Sequence, residues 1–289
     1  MTGKIIRGVG GFYYVFCPAD GRTYQCRARG LFRKDGVKPL VGDDVSFTET
    51  IDTDIESSGQ IQEVLPRKNR LVRPEAANVD QALVFFAAKD PEPSFLLLDR
   101  FLVLLALQDI PILLAFNKMD VAPERKEKLA EIYGASGYSC HFVSVYEGGG
   151  IQGLSEALAG KTTILAGPSG AGKSSFVNLL LGREHMETGV LSHKTGRGKQ
   201  TTRHTEILPI PQDGFILDTP GFSSLILFGV NAKELDCFYS EFQPYLGKCY
   251  YNDCTHRREP DCAVRGAVEE GRISRIRYET YLQLFEELP

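Results

Sequence analysis

The run Gly167-Pro168-Ser169-Gly170-Ala171-Gly172-Lys173-Ser174 constrains this chain more than any other stretch. Two glycines with four residues between them are followed at once by Lys173 and Ser174, which is the Walker A pattern. The apolar residues 162–166 before it read as a buried strand, and 175–181 after it read as a helix, the context that the pattern requires. In such a loop the glycines let successive backbone N–H groups point into one concavity. The helix N-terminus adds partial positive charge there and Lys173 adds a full one. Residues 167–175, Ser175 included, are therefore the candidate cradle for a polyphosphate, with the Ser174 hydroxyl placed for Mg²⁺.

A chain of 289 residues exceeds one typical domain, so two or three are expected. Its 43% hydrophobic and 24% charged residues describe a globular protein. A net charge of −4 carries no global sign of nucleic-acid affinity, so any such surface must be a local patch. The N-terminus shows no leader pattern. The longest apolar stretch, 95–107, is interrupted by Asp99 and Arg100 and is too short to span a bilayer. Seven cysteines in a chain this long do not make a disulfide scaffold, so no membrane and a reducing cytoplasm are expected.

Residues 1–70 carry short β-rich runs at 4–9, 12–16, 22–29, 43–47 and 60–65, separated by turn signals such as Ala19-Asp20-Gly21. Five short strands without a long helix predict a small barrel of OB type. Tyr13, Tyr14, Tyr24 and Phe32 lie among Arg22, Arg27, Arg29, Arg33, Lys34 and Lys38. Such a mixture is either a stacking surface for RNA bases with cations for phosphates, or an ordinary aromatic core with solvated arginines outside.

From about residue 71 the chain alternates apolar strands and amphipathic helices, the mark of an α/β domain with a mostly parallel sheet. Strand 82–87, helix 94–108 and strand 111–116 lead to Asn117-Lys118-Met119-Asp120. Ligands in open α/β sheets bind beyond the carboxyl ends of strands, so this tetrad stands where a base is read. The Asp120 carboxylate can accept two hydrogen bonds from guanine, from its ring N–H and its exocyclic amine. Adenine offers no such pair, and a carboxylate left partly unpaired makes the discrimination large. Asn117 would hold the loop and the Lys118 stem would pack on the base. Helix 123–133 and strand 139–144 follow, with Ser144 at the strand end either approaching the base through its backbone or simply structural. After the Walker A helix comes a polar, basic run, 192–204, and then strand 215–217 leading into Asp218-Thr219-Pro220-Gly221. In that Asp-x-x-Gly element Asp218 supports Mg²⁺ through water and the Gly221 N–H meets a γ-phosphate.

The order of these motifs is itself informative. In Ras-like GTPases the Walker A and Asp-x-x-Gly elements come before the base-reading tetrad; here the tetrad comes first. A cyclic shift preserves every strand-end position when the original termini lie close together. Beyond residue 230, Cys249, Cys254, His256 and Cys262 give the spacing Cys-x4-Cys-x-His-x5-Cys. Three thiolates and one imidazole make a closed, structural Zn²⁺ site. Arg257, Arg258, Arg265, Arg272, Arg275 and Arg277 surround it and a final helix at 273–288, forming either a phosphate-contacting surface or a solvated helix face. The expected fold is thus a multidomain α/β protein. It has an OB-like barrel over 1–70, a circularly permuted P-loop GTPase domain over 71–230 and a zinc-binding helical domain over 231–289.

Taken together, these parts resemble the RsgA family, the circularly permuted GTPases of bacterial small-ribosomal-subunit assembly. The resemblance covers essentially the whole length: the barrel, Asn117 to Asp120 ahead of Gly167 to Ser175, the Gly-Arg-Gly-Lys-x-Thr-Thr-Arg-His loop ending at His204, Asp218 to Gly221, and the Cys249/Cys254/His256/Cys262 set. It implies GTP hydrolysis to GDP stimulated by the small subunit, binding to its rRNA, and release late in maturation by a monomeric cytoplasmic factor. It also implies Lys173 neutralising phosphate charge, Ser174 with Thr202 or Thr201 holding Mg²⁺, and Gly221 sensing the γ-phosphate. One position departs from the family pattern. Phe222 follows Asp-x-x-Gly where most GTPases have a water-orienting Gln, and family members carry His before the Thr-Thr pair where this chain has Gln200. Either Gln200 or His204 is then the orienting residue. The competing reading is a nucleotide-gated rRNA-binding module whose turnover is incidental.

Overall fold

The computed structural model describes residues 1–28, 38–52, 55–72, 74–182, 205–218, 227 and 229–288. By its contacts the chain divides into two compact units. One joins Met1–Gln81, Glu156–Leu165 and Val177–Gly221; the other joins Ala82–Ser155, Ala166–Phe176 and Phe222–Pro289. Among the described residues no helix is long and apolar enough to cross a membrane.

The first unit opens with the expected barrel: β1 (Thr2–Val9), β2 (Phe12–Cys17), β3 (Arg22–Ala28), β4 (Asp44–Asp52) and β5 (Ile55–Val64). Its strand order is β1-β2-β3-β5-β4, and β4 pairs back on β1 to close it. Only β3 with β5 is parallel among these pairings. Alternation decides what fills it, because successive side chains of a strand face opposite sides. Ile5, Val15, Cys17, Tyr24, Cys26, Val45, Phe47 and Ile61 form its core. Tyr24 is therefore a core residue, its hydroxyl donating to Asp20 Oδ2 at 2.7 Å. Outside, Arg7 lies over the Tyr14 ring at 4.0 Å and Arg27 over Phe12 at 4.9 Å. The hairpin β4–β5 is longer than its apolar pattern suggests. Its backbone ladder continues through Thr50 opposite Ser58, whose hydroxyl donates to Thr50 O at 2.6 Å.

Next come a two-stranded ribbon, β6 (Arg70–Leu71) with β7 (Ala76–Ala77), and the alternating series: β8 (Gln81–Ala87), α1 (Phe95–Ala106), β9 (Ile112–Asn117), α2 (Lys126–Gly134), β10 (Ser139–Phe142), α3 (Ile151–Leu158), β11 (Thr162–Ala166) and α4 (Lys173–Leu181). Strands β8, β9 and β10 are parallel, with Val84 opposite Leu114 and Leu114 opposite Cys140. Every residue of β8 is buried, as expected of a strand covered on both faces. In the first unit β11 runs parallel to β13 (Gly214–Asp218), which forms an antiparallel hairpin with β12 (Glu206–Ile210).

Two of these elements are hidden in the sequence. Helix α3 has eight residues with Gly153 inside them, too short a window for a clear period. Strand β12 contains Pro209, which normally argues against a strand. Here the Phe215 N–H opposite it donates to Lys161 O at 2.8 Å, so the missing N–H of Pro209 is not asked for at that pair.

The second unit ends in two 3-10 helices, Ala232–Phe238 and Ser240–Tyr245, then α5 (Ala263–Glu269) and α6 (Arg275–Glu287). The two 3-10 helices are parted at Tyr239, whose backbone is extended (φ −99°, ψ 94°). That break turns the Tyr239 ring into the core, edge-on to Tyr281 at 5.4 Å and beside Phe242 at 5.1 Å. The core continues through Val103 of α1 to Leu235, Val264, Ile273 and Leu284. At its centre Arg277 is 1% exposed. Its Nε donates to Glu241 Oε1 at 2.7 Å, its Nη1 meets Asp99 Oδ1, and it lies 4.5 Å over the Tyr239 ring. Thr280 and Tyr133 hydroxyls also donate to Asp99. Burial pushes the Asp99 carboxyl up, and the Arg277 charge and the Thr280 hydroxyl oppose that rise.

Arg277 therefore joins α6 to α1 through carboxylates that cannot reach water. Removing one partner of a buried charge set leaves the others uncompensated, so Arg277→Ala should lose about 3–5 kcal/mol of unfolding free energy in urea titrations. A loss under about 1 kcal/mol would show that the cluster is not holding the two helices together.

Candidate nucleotide site and metal cluster

The Walker A loop leaves β11 at Gly167, whose φ is +143°. A Cβ there would lie 2.1 Å from Phe85 O, so only glycine allows the loop to pass this close to β8. Gly172 has φ +96°, and a Cβ on it would lie 2.3 Å from Asn117 Nδ2. Helix α4 then starts at Lys173, with Phe176 N–H donating to Gly172 O at 2.9 Å. Stacking of Phe176 on Phe85, at 5.1 Å, sets the helix against β8. Lys173 Nζ reaches back across the loop to Gly167 O at 2.8 Å and Pro168 O at 2.7 Å. The ammonium is thus held over the turn it would serve. Ser169 and Gly170 are exposed, Ala171 is buried, and Pro168, Ser174 and Ser175 are half-buried.

Asn117, at the last position of β9, is 3% exposed. Its Nδ2 donates to Ala171 O at 2.9 Å, and its Oδ1 accepts the Val145 N–H at 3.0 Å. One side chain therefore ties the phosphate loop, the strand end and the loop after β10. Lys118 follows in the left-handed region (φ +66°), and its Nζ donates to Asp90 O. Met119 N–H donates to Val143 O at 3.2 Å. The half-buried Asp120 accepts the Ser144 hydroxyl on Oδ1 at 2.7 Å, while Ser144 N–H donates to Gly149 O at 2.9 Å. Ser144 orients the carboxylate by its side chain, a contact that its place at a strand end did not specify.

Within the second unit the structure thus gathers Asn117, Lys118, Met119, Asp120, Ser144 and residues 167–175. Asp218 closes β13, in register with Leu165 of β11. Gln200, Thr201, Thr202, His204, Gly221 and Phe222 lie outside the described residues, as do Arg29, Phe32, Arg33 and Lys34. One positioning segment was missed from sequence, the turn at 88–92. Arg125 Nη1 donates to Ala88 O at 2.8 Å, and the guanidinium pairs in two-point fashion with Glu92 at 2.6 and 2.8 Å. The Asp90-Pro91 step was its one signal, marking a turn but not the contact with Lys118.

The four metal-ligating side chains converge. Their ligand atoms all lie within 4.8 Å of one another. His256 Nδ1 stands 3.6, 3.5 and 3.3 Å from the sulfurs of Cys249, Cys254 and Cys262, and the Cys249 and Cys262 sulfurs are 3.9 Å apart. A tetrahedral ion with zinc-like bond lengths demands edges of about 3.5–3.8 Å, which these four distances approach, so the set fits such an ion after small shifts of the ligand atoms. The far nitrogen, Nε2, faces Asp236 Oδ2 at 3.2 Å, the carboxylate partner that fixes a ligating imidazole. Tyr278 and Tyr281 of α6 donate to His256 O at 2.6 Å and Thr255 O at 2.9 Å. Glu259 is not a ligand but a clamp on the same loop. Burial alone would raise its carboxyl, yet the Thr255 hydroxyl and N–H and the Arg258 N–H hold it down to about 2.

A family model described as RsgA GTPase matches residues 64–228, and one described as RsgA N-terminal domain matches residues 2–56. The chain belongs to the RsgA GTPase family. Relatives named "Small ribosomal subunit biogenesis GTPase RsgA" from Agathobacter rectalis and Clostridium beijerinckii are 46% and 45% identical. Each alignment covers 100% of this chain, with 98% and 97% of the respective relative. Among solved structures, YjeQ from Thermotoga maritima is 34% identical with a TM-score of 0.78, over 99% of this chain and 98% of that one. YloQ, described as a circularly permuted GTPase, is also 34% identical with a TM-score of 0.78, over 99% and 94%. The motif order of this chain is thus that of a permuted GTPase. Membership in the family makes it a GTP hydrolase working on GTP with Mg²⁺.

The cluster yields a direct test. Cys254→Ser should reduce one bound metal equivalent to none by atomic emission. It should also lower the unfolding midpoint by about 3–5 °C, the size of a loss of roughly 2–3 kcal/mol in a chain of this length. Full metal content in the variant would remove Cys254 from the set.

Proposed function

We propose that the chain is a GTP-driven switch in biogenesis of the small ribosomal subunit. It binds the subunit and its rRNA, hydrolyses GTP there and leaves as maturation ends. The observation that carries this reading is the Asn117 bridge, which joins a base-reading strand end to a phosphate loop. Names of full-length relatives supply the biological setting.

In this reading Asp120 takes the guanine edge, oriented by Ser144, with Lys118 and Met119 shaping the base site. The loop from Gly167 to Ser175 wraps the phosphates, and Lys173 neutralises β/γ charge. Ser174 and Thr202 would hold Mg²⁺, with Asp218 supporting it through water, and Gly221 would meet the γ-phosphate. The ion, when bound, supplies further charge neutralisation. Gln200 is the first candidate for orienting the attacking water and His204 the second. Cys249, Cys254, His256 and Cys262 would hold one structural Zn²⁺. The division into 1–70, 71–230 and 231–289, a monomeric state and a cytoplasmic location complete the proposal.

Three experiments test it. Single-turnover GTP hydrolysis should accelerate on adding purified small subunits, and no acceleration would leave only a nucleotide-gated binder. Of Gln200→Ala and His204→Ala, the variant of the orienting residue should lose about a hundredfold of that stimulated rate with GDP affinity unchanged. For specificity, Asp120→Asn should weaken GDP about a hundredfold or more and gain xanthosine diphosphate, because the amide donates where the carboxylate accepted. Unchanged GDP affinity in titration calorimetry would place the base elsewhere.

A further inference from the structure

The loop after β10 is pinned along its length. Val145 N–H is held by Asn117 Oδ1 at 3.0 Å, and the Ser144 hydroxyl accepts the Glu147 N–H at 3.1 Å while donating to Asp120. Ser144 N–H closes the loop on Gly149 O at 2.9 Å. At its exit Gly150 has φ +72°, where a Cβ would lie 2.3 Å from Phe142 O. Between these anchors Tyr146 is 92% exposed, more than any other large apolar or aromatic residue described.

Single exposed aromatics are common and need no explanation when they stand on mobile or remote surface. This one stands on an immobilised loop, two residues from the serine that orients the base-reading carboxylate. Its backbone is held there by the same asparagine that grips the phosphate loop. With its backbone already held, Tyr146 has only its side-chain rotamers to order on meeting a flat partner, and a purine read by Asp120 would present such a partner beside this loop. Lys118, whose ammonium is tied back to Asp90 O, leaves its aliphatic stem at the same site.

We propose that Tyr146 is a retention residue that stacks on the guanine base held by Asp120, slowing nucleotide release. This rests on the assignment of Asp120 as the base reader. Stacking does not distinguish purines. It therefore raises affinity for every purine nucleotide, while Asp120 selects among them.

The test is equilibrium and stopped-flow binding of GDP. Tyr146→Ala should weaken GDP by about five- to a hundredfold, the range of one base–aromatic stack, chiefly through faster dissociation. Tyr146→Phe should bind like the parent. Because the chain has no tryptophan, Tyr146→Trp introduces a single reporter at the site. Its emission should be quenched by GDP and left unchanged by pyrophosphate, which fills the phosphate cradle without a base. GDP affinity within twofold of the parent in Tyr146→Ala, or unquenched emission in Tyr146→Trp at saturating GDP, would overturn the proposal. If that result appears while Asp120→Asn still weakens GDP, stacking alone is wrong. If Asp120→Asn leaves GDP binding intact, the base reading fails and the stacking proposal fails with it.

Discussion

One buried amide carries the architecture of the nucleotide site. Asn117 donates to Ala171, 54 residues away, and accepts from Val145, 28 residues away. The first bond is buried and the second partly so, and a buried partner left unmade costs about 1–3 kcal/mol. The group must donate and accept at once, which an aspartate of the same shape cannot do when ionised. Gly172 answers the same constraint from the other side, since any Cβ would occupy the place of the asparagine Nδ2. Because the tie is made through space at strand ends, the swapped order of the segments along the chain does not disturb it. This is the physical sense in which a permuted GTPase is still one site.

From that site a continuous packed route leads to the metal cluster within the same unit. The turn gripped by Lys118 and Arg125 feeds α1 through Ser94, whose hydroxyl accepts the Leu97 N–H at 3.3 Å. Helix α1 carries Asp99 to Arg277, and α6 carries Tyr278 and Tyr281 to the backbone around His256. The C-terminal segment that carries the Cys/His set therefore also shares a hydrophobic core with α1. The loop of the Cys/His cluster and the buried guanidinium both fasten the first turns of α6, through Tyr278 and Tyr281 and through Arg277, so neither has to hold that small core alone.

Much of this was legible from residue order because the relevant signals are local. Walker A, Asn117 to Asp120 and the Cys/His spacing each declare their chemistry within fourteen residues or fewer. The barrel was legible from turns and alternation, though the burial of Tyr24 was not, since period two says which residues share a face without saying which face is inside. What stayed hidden depends on partners far along the chain. Ser144 was open between a backbone approach to the base and a structural role until its hydroxyl met Asp120, and Arg277 read as one more surface arginine until Asp99 and Glu241 enclosed it. Tyr239 parts two 3-10 helices and sends its ring into a core assembled with α1 and α6.

The most direct test of this account is the GDP dissociation constant of Asn117→Ala by isothermal titration calorimetry, with metal content and circular dichroism as controls on the fold. If one amide joins the base end to the phosphate end, affinity should fall by about ten- to a thousandfold with both controls unchanged, as expected for losing two buried hydrogen bonds. A dissociation constant within threefold of the parent would contradict it, and would mean that the two halves hold nucleotide independently of the tie.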